Sequence, residues 1–203
     1  MRPPSVPSSA LSAALLLVAG LLHAASMAWP WAGPLSYGEP VWWLQTTSLA
    51  VLAWRVQGCR TWRAAAACAW LFTTAWLGAS FSWLYVAMHT YGGLPAVLAV
   101  LAVLLLAALL ALYYAFAVGA FRALIPVNTA FAAIVFAALW LLAELARGVW
   151  FTGFGWAAAG YAHVDGPLSG YAPWIGAYGM GFVTAWLAYL LANLCRATPW
   201  WPR

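Results

Sequence analysis

Lysine is absent from this chain, and only three of its 203 residues are acidic: Glu39, Glu144 and Asp165. Charged residues make up 5% of the sequence, against about 25% in soluble globular domains. That shortage excludes an ordinary soluble domain. The missing lysine also removes Schiff-base chemistry and the phosphate-binding P-loop. Cysteine is scarce as well. Cys59, Cys68 and Cys195 are odd in number and lack metal-ligand spacing, so neither a disulfide framework nor a metal site is expected. His23, His89 and His163 lie in separate regions, with no carboxylate or cysteine pattern joining them. Neither a Rossmann fingerprint nor a Ser-His-Asp arrangement is present, and no cofactor is expected. Eight arginines give a net charge of +5. They are scattered between apolar runs instead of forming a basic patch, which argues against a nucleic-acid partner.

What the chain has in abundance is hydrocarbon. It is 67% hydrophobic, with a mean hydropathy of +0.90. A helix needs roughly 20 apolar residues to cross a bilayer. Runs at 10–29, 64–88, 94–121, 126–146 and 171–194 meet or approach that length, and 41–54 is a shorter sixth carrying Gln45, Thr46 and Thr47. The expectation is an all-α, polytopic transmembrane helix bundle of about six spans, forming a single domain over residues 1–203. The small-residue pattern "LHAAS" at the end of the first run resembles a cleavage site. The long apolar stretch and the spans that follow favour a retained helix.

Arginine placement sets the expected orientation. With six spans, Arg2, Arg55, Arg60, Arg63, Arg122, Arg196 and Arg203 fall on one side and Arg147 alone on the other. Under the positive-inside rule both termini are cytoplasmic. Omitting the short second run leaves six against two, with the same bias. Glu39, the "HTYGGLP" loop and Asp165 then face outward. A Gly/Trp-rich loop, 148–170, is the longest link and lies on the same outer side.

The stretch "LLAELARGVWFTGFGW" concentrates the scarce charge. Glu144 and Arg147 are one helical turn apart and share a face. Ionisable groups at membrane depth are costly and are usually functional. Two readings stay open: an outward-facing site for a lipid headgroup or substrate, or an ion pair anchoring the helix end. The glycines that follow break the helix. Irregular backbone at membrane depth must be buried in protein or line a wet cavity, so this loop is expected to pack over the outer mouth of the bundle. Asp165, in "HVDGP", suits a turn.

Two stretches resemble a known family. "SWLYVAMHTYGGLP" and "ALWLLAELARGVWFTGFGWAAAGYAHVDGPLSGYAPWIGAYG" are similar to the membrane domain of bacterial apolipoprotein N-acyltransferases. The shared pattern is W-x-Y-V before a GG-[LM]-P loop, then E-x-x-RG, TGF-x-W, GY and DGPL in order. The resemblance implies a multi-pass protein of the bacterial inner membrane. It implies transfer of an acyl chain from phospholipid to the N-terminal diacylglyceryl-cysteine of a lipoprotein. In the family a Glu–Lys–Cys triad on a carbon-nitrogen-hydrolase-like domain does this chemistry. The sequence ends before such a domain and has no lysine, so it is expected to be inactive alone, as a fragment or a partner of a separate catalytic domain. No catalytic residue is assigned in this chain. The resemblance implies an outer-face lipid or domain-docking site drawn from Glu144, Arg147, Trp83, Tyr85, His89, Gly92, Gly93, Thr152, Gly153, Trp156, Tyr161 and Asp165. A small transporter or channel, or a membrane scaffold for a catalytic subunit, are the competing classes. Few polar side chains lie in mid-span (Gln45, Thr73, Thr74) and no internal repeat is visible, which weakens the transporter reading.

Overall fold

A computed structural model describes residues 9–124 and 130–197. Arg2, Arg203 and the start of the 126–146 run lie outside the described residues. Among those described there is no strand, and seven α-helices follow one another: α1 Ser9–Ala25, α2 Trp42–Gly58, α3 Trp62–Ser80, α4 Ser82–Tyr85, α5 Ala96–Leu124, α6 Ala130–Val149 and α7 Ala172–Ala197. A π-turn, Val86–Tyr91, extends α4. Three short 3-10 turns, Trp150–Thr152, Ala159–His163 and Ser169–Tyr171, fill the link between α6 and α7.

The helices form a bundle in which neighbours run α1–α3–α5–α6–α7–α2 and back to α1. The α3–α5 contact is built from small side chains. A Cβ on Gly78 of α3 would meet Ala107 Cβ of α5 at 3.7 Å, and one on Gly119 of α5 would meet Ala66 Cβ of α3 at 3.2 Å, the close helix approach that small residues permit in lipid. Large aromatics fill the centre. Trp76 stacks on Trp140 at 6.0 Å and 13°, and Tyr114 packs on both at 5.5 and 4.7 Å. Outward faces carry leucines, such as Leu105, Leu109 and Leu142. That apolar outside is the pattern of a protein whose solvent is lipid.

Among the described residues, three helices are long and apolar enough to cross a membrane: Ala96–Leu124, Phe131–Thr152 and Ser169–Arg196. A fourth qualifies only as a bent pair, Trp62–Ser80 with Ser82–Tyr91, turned by 52°. The expected straight run 64–88 is therefore broken. Phe81 leaves helical geometry at φ −95°, ψ 11°, and its buried ring packs on Phe154 at 4.8 Å. Because both sides of the break are apolar, hydropathy gives no sign of it. Helices α1 and α2 have 17 residues each, about 25 Å of rise against a hydrocarbon core of about 30 Å. The fold is thus a polytopic helical bundle with three to four helices of spanning character.

Thr61 starts α3, its hydroxyl accepting a hydrogen bond from Ala64 N at 3.2 Å. Helix α7 is interrupted near its start at Gly176, where φ is +63°.

Candidate outer-face site

The last turn of α6 aims Glu144 and Arg147 inward, and both are fully buried. Glu144 Oε1 accepts from Ala159 N at 2.9 Å. Gln45 of α2 donates to the carbonyl oxygen of the same residue. Ala159 is therefore held at both its N–H and its C=O by side chains from two helices. Arg147 Nε donates to the Tyr114 hydroxyl of α5 at 3.1 Å, while Nη1 donates to the carbonyls of Phe154 and Trp156 at 2.6 and 2.7 Å. Phe154 N returns a bond to Arg147 O at 2.8 Å.

Glu144 and Arg147 share a face, but they do not hydrogen-bond to each other. Glu144 Oε2 and Arg147 Nη2 are both without hydrogen-bond partners. The charges are used on the loop instead. Ala158 and Ala159 are buried, and Phe154, Gly155 and Ala157 are partly so; unmet backbone groups where water is scarce cost about 1–3 kcal/mol each. Charged side chains are the strongest donors and acceptors available to satisfy them.

Two glycines let the parts close. A Cβ on Gly181 of α7 would sit 2.8 Å from Glu144 Oε2. A Cβ on Gly160 would collide with the carbonyl of Ala177. The loop thus seats on α7 with no side chain between them.

Beneath this clamp lies a second buried polar group. His163 Nε2 meets Thr184 Oγ1 at 2.7 Å, and that hydroxyl donates to Met180 O at 2.9 Å. Burial holds the His163 imidazole down at about 4, so the ring is neutral at physiological pH. The hydroxyl proton is committed to Met180, which makes His163 Nε2 the donor to Thr184. His23 Nδ1 pairs with Ser48 Oγ at 2.9 Å.

The rim at this end of the bundle is aromatic and exposed. Trp150, Phe151, Trp156, Tyr161 and Trp174 all present their rings outward, Phe151 at 91% exposure. Phe151, Thr152 and Ala157 adopt positive φ of 52°, 73° and 62°, a strained choice for side-chain-bearing residues. Below Trp150–Thr152 an apolar cavity of about 950 Å³ opens between α5 and α6, lined by Leu109, Tyr113, Phe116, Leu142 and Trp150. Apart from the side chains of Tyr113 and Thr152 its lining is apolar, and it suits hydrocarbon.

The sequence candidates divide into groups. Glu144, Arg147, Gly153 and Trp156 come together in the clamp, with Thr152 beside them. Trp83 joins through its ring contact with Trp156 at 5.6 Å. Tyr85 packs on His89 at 5.1 Å, and His89 Nδ1 contacts Leu94 O at 2.8 Å across the Gly92–Gly93 turn. Tyr161 and Asp165 are exposed. Asp165 occupies a turn closed by Gly166 N to His163 O at 3.1 Å. Tyr114 and Gly181 carried no signal in the sequence. Gln45 did, as a polar residue within an apolar run.

The stretch that carries this Glu, Arg and glycine- and tryptophan-rich loop lies within a sequence match to known proteins. Residues 34–190 match the apolipoprotein N-acyltransferase N-terminal domain. The chain belongs to this family. An apolipoprotein N-acyltransferase of Verminephrobacter eiseniae is 52% identical over 195 residues, covering 94% of this chain and 35% of the relative. One from Ralstonia nicotianae is 43% identical, covering 79% and 31%, and one from Coxiella burnetii is 33% identical, covering 90% and 37%. The chain thus spans about a third of the length of these apolipoprotein N-acyltransferases. Gln45, Tyr114, Glu144, Arg147 and Gly181 all fall inside the matched N-terminal domain, while His23 and Arg196 fall outside it.

Proposed function

We propose that this chain is the membrane domain of an apolipoprotein N-acyltransferase, working in the bacterial inner membrane. The observation that carries this reading is the clamped outer loop. Glu144 and Arg147, the most costly residues in the bundle, hold a rim of exposed aromatics above an apolar cavity. In this proposal the cavity accommodates an acyl chain, and the rim meets the headgroups and seats the catalytic domain. The acyl donor is phospholipid and the acceptor is the N-terminal diacylglyceryl-cysteine of a lipoprotein. The chemistry belongs to residues outside these 203, because acyl transfer through a thioester needs a nucleophile beside a base. Here the cysteines at 59, 68 and 195 lie at the opposite end of the bundle from Glu144.

We further propose about six crossings, with α1 and α2 spanning despite their shortness, and both termini cytoplasmic. The five described arginines at one end, Arg55, Arg60, Arg63, Arg122 and Arg196, against Arg147 at the other support this orientation. Reporter fusions after residue 60 and after residue 165 should report opposite sides of the membrane. Both on one side would contradict the orientation.

The function is tested with a chimaera. The matching N-terminal third of the Verminephrobacter eiseniae acyltransferase is replaced by this chain and expressed in a strain depleted of its own enzyme. Mass spectrometry of lipoprotein N-termini should show the third acyl chain restored. A membrane-inserted chimaera that leaves lipoproteins diacylated would refute the assignment.

A further inference from the structure

At the end of the bundle opposite the clamp, three arginines from three helices converge on the turn that follows α2. Arg196 of α7 donates to Trp54 O at 2.6 Å, and Arg122 of α5 donates to Cys59 O at 2.8 Å. Arg55 of α2 reaches Ser12 Oγ at 3.0 Å. The guanidinium groups of Arg55 and Arg196 both lie over the Trp54 ring, at 5.5 and 5.4 Å. These bonds satisfy carbonyls at the end of α2, which is a structural role. They use few of the roughly five N–H donors on each guanidinium. Arg55 Nε and Arg196 Nε are buried without partners. The side-chain carboxylates of the chain cannot neutralise the cluster. Glu39 precedes α2 by three residues, and Arg55 sits near its other end, about 20 Å along the axis from the start of α2. Glu144 and Asp165 belong to the clamped end.

Beside this cluster runs an apolar groove of about 600 Å³ between α3 and α5. Trp62, Ala66, Trp70, Phe116, Gly119 and Ala123 line it. Its end residues, Trp62 and Ala123, are chain neighbours of the Cys59 turn and of Arg122. Arg122 is one residue from Ala123 and three from Gly119 of the groove, so α5 joins a cluster of cations to a hydrocarbon surface, the two-part chemistry of a phospholipid.

We propose that Arg55, Arg122 and Arg196 bind the phosphate of an anionic phospholipid whose acyl chain lies in the α3–α5 groove. Three cations without an acidic partner favour a net-negative headgroup over a zwitterionic one. The groove favours a lipid over free phosphate. Cys59 reports on the cluster. Its hydrogen-bonded contact with Cys68, Sγ to Sγ 3.8 Å, and then the fields of Arg55, Arg122 and Arg196, draw its thiol below the usual range. The site does not depend on which end of the bundle is cytoplasmic.

The test uses the purified 203-residue protein with phosphatidylglycerol or phosphatidylcholine, counting retained lipid by native mass spectrometry. Phosphatidylglycerol should be retained in preference, and R55Q/R196Q should weaken that retention by about thirtyfold. R60Q/R63Q, which removes two exposed arginines outside the cluster, should leave it unchanged. A second measurement needs no substitution in the cluster. Phosphatidylglycerol, supplied in nanodiscs, should slow alkylation of Cys59 relative to the exposed Cys195, because a bound phosphate offsets the arginine field that favours the thiolate. Inorganic phosphate alone should not. Equal retention of the two lipids, equal loss in R60Q/R63Q, an unaltered Cys59 rate, or full protection by inorganic phosphate would each overturn the proposal.

Discussion

Replacing Arg147 with glutamine should lower the unfolding free energy of the purified protein by about 3–5 kcal/mol, the range for stripping one member from a buried charged network. The guanidinium serves three acceptors at once: the Tyr114 hydroxyl and the carbonyls of Phe154 and Trp156. A glutamine is too short to serve all three, and the carbonyls it leaves are partly buried. Arg147→Lys should lose part of the same stability, because an ammonium cannot reproduce the forked geometry. Glu144→Gln should cost less, about 1–2 kcal/mol, since its amide oxygen can still accept from Ala159 N. The double variant E144Q/R147Q should cost less than the sum of the two singles. Both residues hold one loop, so freeing it once leaves less to lose. Denaturant unfolding in detergent measures this cycle, and strict additivity would show that the two residues act on independent elements.

The second large effect is an absence of activity. A polypeptide of these 203 residues, expressed in a strain depleted of its own acyltransferase, should restore no triacylated lipoprotein. Thioester chemistry requires a thiolate, a base to take its proton and a donor to hold the oxyanion. Cys59 has its thiol drawn down by its contact with Cys68 and by the fields of Arg55, Arg122 and Arg196. It lies at the end of the bundle opposite Glu144 and Asp165. Rescue that persisted after all three cysteines were replaced would reveal chemistry outside this scheme. Rescue abolished by replacing one of them would place the active thiol in this chain.

The long helices were legible because hydrocarbon thickness imposes a length and lipid imposes an apolar surface. Helices α5, α6 and α7 satisfy both rules. Helix α2 does not, because it carries Gln45, Ser48 and Gln57 on its buried side. These are polar groups that pack inside the bundle and lower the apparent hydropathy of a buried helix. The bend at Phe81 was invisible, since an apolar helix reads the same on either side of a break. Spacing correctly put Glu144 and Arg147 on one face, yet it could not give their partners. A helical period says which way two side chains point, whereas the loop that returns to meet them is set by close packing at Gly160 and Gly181. Tyr114 was hidden for the same reason. It is one tyrosine in an apolar run, and only the arrangement of α5 against α6 brings its hydroxyl to Arg147. Where the sequence suggested an ion pair, the molecule uses each charge to satisfy backbone.

Amide hydrogen exchange is the most direct measure of whether Glu144 and Arg147 hold the outer loop. In the unsubstituted protein the amides of Phe154 and Ala159 should be protected although they lie outside regular helix. In E144A and R147Q they should exchange about a hundredfold faster, equivalent to about 3 kcal/mol of local opening, while amides in the middle of α5 stay protected. Rapid exchange at Phe154 and Ala159 in the unsubstituted protein, or unchanged protection in both variants, would contradict the clamp.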